Sequence, residues 1–181
     1  MDMNKKLLRI TETAVMLALL VSLQALTKPM GQLVTGSFVN AILAVTVLLA
    51  GFAGGTTVAL LSPVLAYLLG IAPQILTVPA IMVGNFVYVV LLYVLARGKN
   101  PVRQVFAWLL AAAAKFAALY AVVVWLICGV FAQKLLASGM LKEPMLKVLP
   151  ATFSWPQLIT ALIGGGAALL MVPILRKALK K

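Results

Sequence analysis

Apolar residues in this chain follow neither the two-residue alternation of a strand nor the polar-faced period of a surface helix. They continue for 14 to 26 positions and stop at short polar, proline or glycine punctuation. Such runs predict membrane-spanning helices, since about 20 apolar residues in a helix cross the roughly 30 Å hydrocarbon layer. The first run covers about residues 7–26 and ends at Thr27-Lys28-Pro29. The second, about 37–50, is short for a full span, so the chain around it should extend it or other helices should shelter it. The third covers about 56–69, with Pro63 inside and Gly70 after it, and a loop with Pro73, Gln74 and Pro79 follows. The fourth covers about 80–96 and meets Arg97, Lys99 and Arg103. The fifth is long, about 105–130, and the last covers about 155–175.

Residues 133–150 break the pattern. Leu135, Leu136, Leu141, Leu146 and Leu149 alternate loosely with Lys134, Lys142 and Lys147, and Gly139 and Pro144 interrupt them. That composition predicts an amphipathic segment lying on the membrane surface, with a lid over an outer cavity as the other reading.

Composition strengthens the membrane reading. Of 181 residues, 64% are hydrophobic and 10% charged, where a soluble domain would have about a quarter of its residues charged. Six helices of this length leave room for short loops and tails and for no large soluble domain. The fold class expected is therefore an all-α integral membrane protein, one domain over residues 1–181, built as a six-transmembrane-helix bundle. Fifteen Lys and Arg against three Asp and Glu give a net charge of +12. These charges cluster at the ends of apolar runs, where they set orientation and meet anionic lipid, so no nucleic-acid partner is expected.

Counting basic residues at alternate ends of the spans fixes a direction. One side holds Lys5, Lys6, Arg9, Arg97, Lys99, Arg103, Arg176, Lys177, Lys180 and Lys181; the other holds Lys28, Lys134, Lys142 and Lys147. Ten against four predicts that both termini are cytoplasmic. The first run is expected to stay as a helix and not to be cleaved as a signal peptide, because Glu12 lies early in it and no A-x-A site follows.

The remaining basic residue, Lys115, lies inside the fifth span, about 12 residues or roughly 18 Å of helix from Arg103. A lysine near the bilayer midplane either faces a cavity or ligand, or snorkels or bonds to backbone carbonyls. Other polar and aromatic residues gather toward the outer ends of the spans: Gln24, Thr27, Lys28, Gln32, Thr35, Ser37, Asn40, Gln74, Asn85, Tyr88, Ser154, Trp155 and Gln157. Amides and aromatics converging under an outer loop suit a small polar ligand, although Trp, Ser and Thr also serve there as interfacial anchors and caps. Asn40, Gln74, Asn85, Tyr88, Lys115, Trp155 and Gln157 are the substrate-binding candidates. In the first run Ala14, Ala18 and Ser22 recur every fourth position, a line of small side chains that lets another helix approach closely, within the bundle or from a partner.

What is missing narrows the chemistry. There is no histidine, no paired carboxylate, no phosphate-binding glycine loop and no nucleophile motif, and Cys128 is the single cysteine. Hydrolysis, phosphoryl transfer and metal chemistry therefore have no residues to work with, so no enzyme activity, cofactor or metal is expected. A self-powered pump is disfavoured too, since the acid in a span is the shallow Glu12.

Length, six spans, internal termini and the Ala14-x-x-x-Ala18 pattern together resemble the substrate-binding S component of an energy-coupling factor (ECF) transporter, over essentially the whole chain. The resemblance implies a multi-pass protein of the cell membrane, in bacteria the plasma membrane. It implies capture of a vitamin or similar micronutrient from outside, with delivery inward by a transmembrane coupling (T) subunit and two ATP-binding subunits. It gives Ala14, Ala18 and Ser22 the coupling-subunit interface and places Gln32, Thr35 and Ser37 in a first outer loop that helps close the pocket. The candidates supply a cation and amides but no acid, so a neutral or anionic ligand fits better than a cationic one. A small stand-alone transporter or channel, or a scaffold subunit of a membrane complex, are the rival classes.

Overall fold

The computed structural model describes residues 3–72, 74–96, 98 and 100–179, with side chains from residue 6 onward. Pro73 of the second predicted outer loop, the Lys5 side chain, and Arg97, Lys99, Lys180 and Lys181 of the predicted inner basic set lie outside the described residues. The described residues are helical nearly throughout, with no strand among them. Helix α1 (Met3–Thr27) passes through a 3-10 turn (Lys28–Met30) into α2 (Gln32–Leu68); α3 (Thr77–Leu95) and α4 (Pro101–Leu119) follow. Short helices α5 (Ala132–Ala137) and α6 (Met145–Phe153) precede α7 (Trp155–Ala178). Five helical stretches are long and apolar enough to cross a membrane, and the chain is an all-α membrane protein.

The longest of these, α2, is bent back on itself at Gly51, whose φ of +83° is open to glycine and strained for other residues. A Cβ on Gly55 would stand 2.7 Å from the Cβ of Val47, whereas eight residues of continuous helix would separate them by about 12 Å. The predicted second and third runs are thus the two arms of α2, residues 32–50 and 52–68. The expected short second run gains a turn and a half at its start, and the expected interval at 51–55 shrinks to one glycine.

Helix α4 begins at Pro101, four residues before the predicted boundary, because Asn100 Oδ1 accepts from the backbone N–H of Val102 (3.0 Å) and Arg103 (3.3 Å). At its other end α4 runs on as a π-helix, Tyr120–Val130. One end of the bundle is basic. There Arg176 donates to Leu48 O at 2.9 Å and Arg103 to Leu95 O at 2.7 Å, closing carbonyls left open at helix C-termini. Thr13 of α1 lies beside Gly54, so the first turns of α1 and the last turns of α7 both sit at this end.

The main core joins Leu20 of α1, Leu43, Val47 and Val58 of α2, Tyr88 and Leu92 of α3, Ala111 and Ala112 of α4, and Ala161 and Ala168 of α7. A second cluster sits at the opposite end, where Leu141, Leu149 and Phe153 are buried against Ala80, Leu119 and Val123. The leucines of residues 133–150 pack down on α3 and the π-helical stretch, while Lys134, Lys142 and Lys147 stay exposed, so the segment is amphipathic as expected, with its apolar side turned to the bundle.

Candidate functional site

Lys115, on α4, is 2% exposed, and its Nζ donates to Asn40 Oδ1 at 2.6 Å and to Asn85 Oδ1 at 2.7 Å. The Tyr88 ring centroid lies 5.5 Å from the same nitrogen. Three separate helices, α2, α3 and α4, thus meet at one amine, far from either end of the bundle.

Each partner is held by a local feature of its own helix. Pro63 has no N–H, which leaves the carbonyl of Ala59, four residues back, without its helical donor. Asn85 Nδ2 approaches that carbonyl at 3.4 Å, and its oxygen is thereby turned to Lys115. Asn40 Nδ2 donates to Gly36 O at 2.8 Å and to Thr160 Oγ1 at 3.3 Å. Thr160 in turn donates to Gln157 O at 3.1 Å.

Glycines on α7 make these approaches possible. At Gly164 a Cβ would collide with Ser37 O and stand 2.7 Å from Ala41 N, so this glycine lets α7 press on the first arm of α2 beside Asn40. At Gly165 a Cβ would collide with Trp108 and stand 2.5 Å from Tyr88 Oη. That bare position lets Trp108 Nε1 (3.3 Å) and Tyr88 Oη (3.5 Å) both reach Ala161 O. These adjacent glycines, Gly164 and Gly165, are what shape the site.

Lys115 forms the floor of a cavity of about 170 Å³ that opens away from the basic end. Of the candidates named from sequence, Asn40, Asn85, Gln157, Gln32 and Thr35 line it, together with Gln24, Lys28, Gly36, Ser62, Thr152 and Phe153. Gln24 and Lys28 belong to the polar residues gathered at the outer ends of the spans. Ser62 and Thr152 gave no signal, being small hydroxyls in apolar sequence. Two contacts tie the rim together: Lys28 Nζ to Gly70 O at 2.6 Å and Thr35 Oγ1 to Thr27 O at 2.8 Å.

Other candidates fall elsewhere. Tyr88 lies in the core beneath Lys115, wholly buried, and not on the cavity wall. Gln74 spends its amide on Met140, linking the α2–α3 connection to the α5–α6 segment. Trp155 is 67% exposed and stacks on Phe116 at 5.6 Å between centroids, outside the cavity. Gln32, Thr35 and Ser37 sit in the first two turns of α2 and not in a loop, because the connection from α1 is closed by Lys28–Met30 and Gly31 alone. Ser37 donates to Leu33 O at 2.6 Å. Ala14, Ala18 and Ser22 are exposed along α1, on the side turned away from α2.

A family model described as "ECF transporter, substrate-specific component" matches residues 8–176. No curated protein and no solved structure gives a match.

Proposed function

The chain belongs to the substrate-specific components of ECF transporters, and from that premise we propose that it captures a small neutral or anionic micronutrient in the cavity above Lys115. Transfer inward would then use a transmembrane coupling subunit and two ATP-binding subunits. The chain itself performs no chemistry in this reading and holds no cofactor. The observation that carries the proposal is the floor of the cavity: a buried lysine and two buried asparagines, all aimed at one point beneath an opening. Polar side chains in apolar helices are costly unless they serve a function or one another, and here they do both.

The basic end supports a cytoplasmic assignment, which turns the cavity outward. With each arm of α2 as one crossing, the bundle crosses six times and returns both termini to the cytoplasm of a bacterial cell. The exposed Ala14, Ala18 and Ser22 line gives the coupling subunit a smooth face on α1. The test is mass spectrometry of small molecules released from the purified protein. A single species retained by the wild type and lost from Lys115→Met supports capture at this cavity. Solute accumulation by the protein alone in liposomes, with no ATP-binding partner, would overturn the reading.

A further inference from the structure

Resting on the cavity being the ligand site just proposed, we infer that its ligand is a compact acid about the size of one six-membered ring. It is bound with the anionic group down on Lys115 and an N–H or O–H donor turned toward Gln24.

The charge argument starts at the floor. An amine has three donors in its ammonium form, and Lys115 gives two of them to Asn40 and Asn85. Those acceptors are neutral amides, which solvate a cation without balancing it. The two described acids are elsewhere: Glu143 is exposed between α5 and α6, and Glu12 is one residue from Thr13, which lies beside Gly54 at the basic end. Neither lines the cavity. A buried charge is stable when paired and hydrogen-bonded, so the missing negative charge is one the ligand brings to the remaining N–H. Lys28, exposed at the rim, draws an anion toward the opening.

The second contact comes from the wall. Gln24 lines the cavity, yet its Oε1 is buried with no hydrogen-bond donor. An unsatisfied buried acceptor destabilises its surroundings. The terminal torsion of glutamine is soft, and turning it presents the oxygen to the cavity, where a ligand N–H or O–H would satisfy it.

Size follows from the volume. About 170 Å³ is close to an engineered cavity of roughly 150 Å³ that holds one benzene molecule. A single ring fills this space between floor and wall.

Three ring-sized probes separate these contacts: 4-aminobenzoate has the acid and the donor, benzoate the acid alone, aniline the donor alone. Each is titrated calorimetrically into the full-length protein in detergent. The expected result is 4-aminobenzoate at least tenfold tighter than either of the others. Gln24→Leu should reduce it to the level of benzoate, and Lys115→Met should abolish binding of both acids. Aniline or benzoate binding as tightly as 4-aminobenzoate overturns the inference, and this comparison stands on the wild type even where a variant misfolds. Should no probe bind, the molecules released from the purified protein decide. An acid with a donor supports the inference, and a ligand without an acid group overturns it while leaving the capture site intact. Silence of both probes and extract overturns the capture site as well.

Discussion

Lys115 Nζ and Asn40 Oδ1 stand 2.6 Å apart across 75 residues of sequence, so α4 and the first arm of α2 are joined in the bundle interior by one polar contact. Asn85 makes the equivalent contact from α3. Removing an acceptor strands a buried donor, which costs about 1–3 kcal/mol.

Asn85→Leu is therefore expected to lower the melting temperature in detergent and to weaken ligand binding. The double variant Lys115→Met, Asn85→Leu should recover stability relative to Asn85→Leu alone, because the stranded amine is gone, while binding stays lost. Thermal unfolding of the four-member cycle checks this; additive losses in stability would show that the two side chains do not act as a pair.

Gly165→Ala is expected to be among the most damaging single-methyl changes in the chain. The new Cβ would meet Trp108 and Tyr88 at once, displacing two aromatic side chains from Ala161 O directly beneath Lys115. Overpacking of this kind costs about 1–3 kcal/mol. At Gly129 the nearest atom to an added Cβ is 3.6 Å away, so Gly129→Ala serves as the tolerated control. Equal melting temperatures for the two variants would refute the close-approach argument.

Ala14→Trp and Ala18→Trp place bulk on the exposed line of α1, away from the cavity. Copurification of the coupling module should be lost, with ligand affinity within about twofold of wild type. Retention of the module would assign that face to lipid.

Much of this architecture was legible in the sequence because lipid imposes long apolar runs, and their ends carry charge or glycine and proline. Lys115, Asn40 and Asn85 stood out because amide and amine side chains are conspicuous among leucines and valines. Their mutual contact was not legible, since it depends on three helices meeting and on bare backbone at Gly164 and Gly165. The return of α2 at Gly51 was half legible: the glycine marked an interruption, but its positive φ, which makes the interruption one residue long, has no sequence signature apart from glycine itself. Trp155 and Gln74 were misplaced for a shared reason. Proximity to the outer surface does not say which way a side chain turns, and one turns to Phe116 and the other to Met140. Residues 133–150 have the composition of a surface helix, and the second cluster of buried leucines that holds them down is formed by non-local partners.

Lys28 bridges the end of α1 to Gly70 at the end of α2, over the rim of the cavity. The contact is exposed, so it adds little to global stability, and its strength of about 0.5–1.5 kcal/mol acts on opening of the rim. Lys28→Met should leave the melting temperature within about 1 °C of wild type and raise the dissociation rate of bound ligand severalfold. Lys28→Gln keeps a donor for Gly70 O and removes the charge, so it should restore slow release while lowering the association rate of an anionic ligand. Stopped-flow exchange measured on both variants separates latch from charge. A dissociation rate unchanged in Lys28→Met would remove the latch, and an association rate unchanged in Lys28→Gln would remove its attraction for an anion.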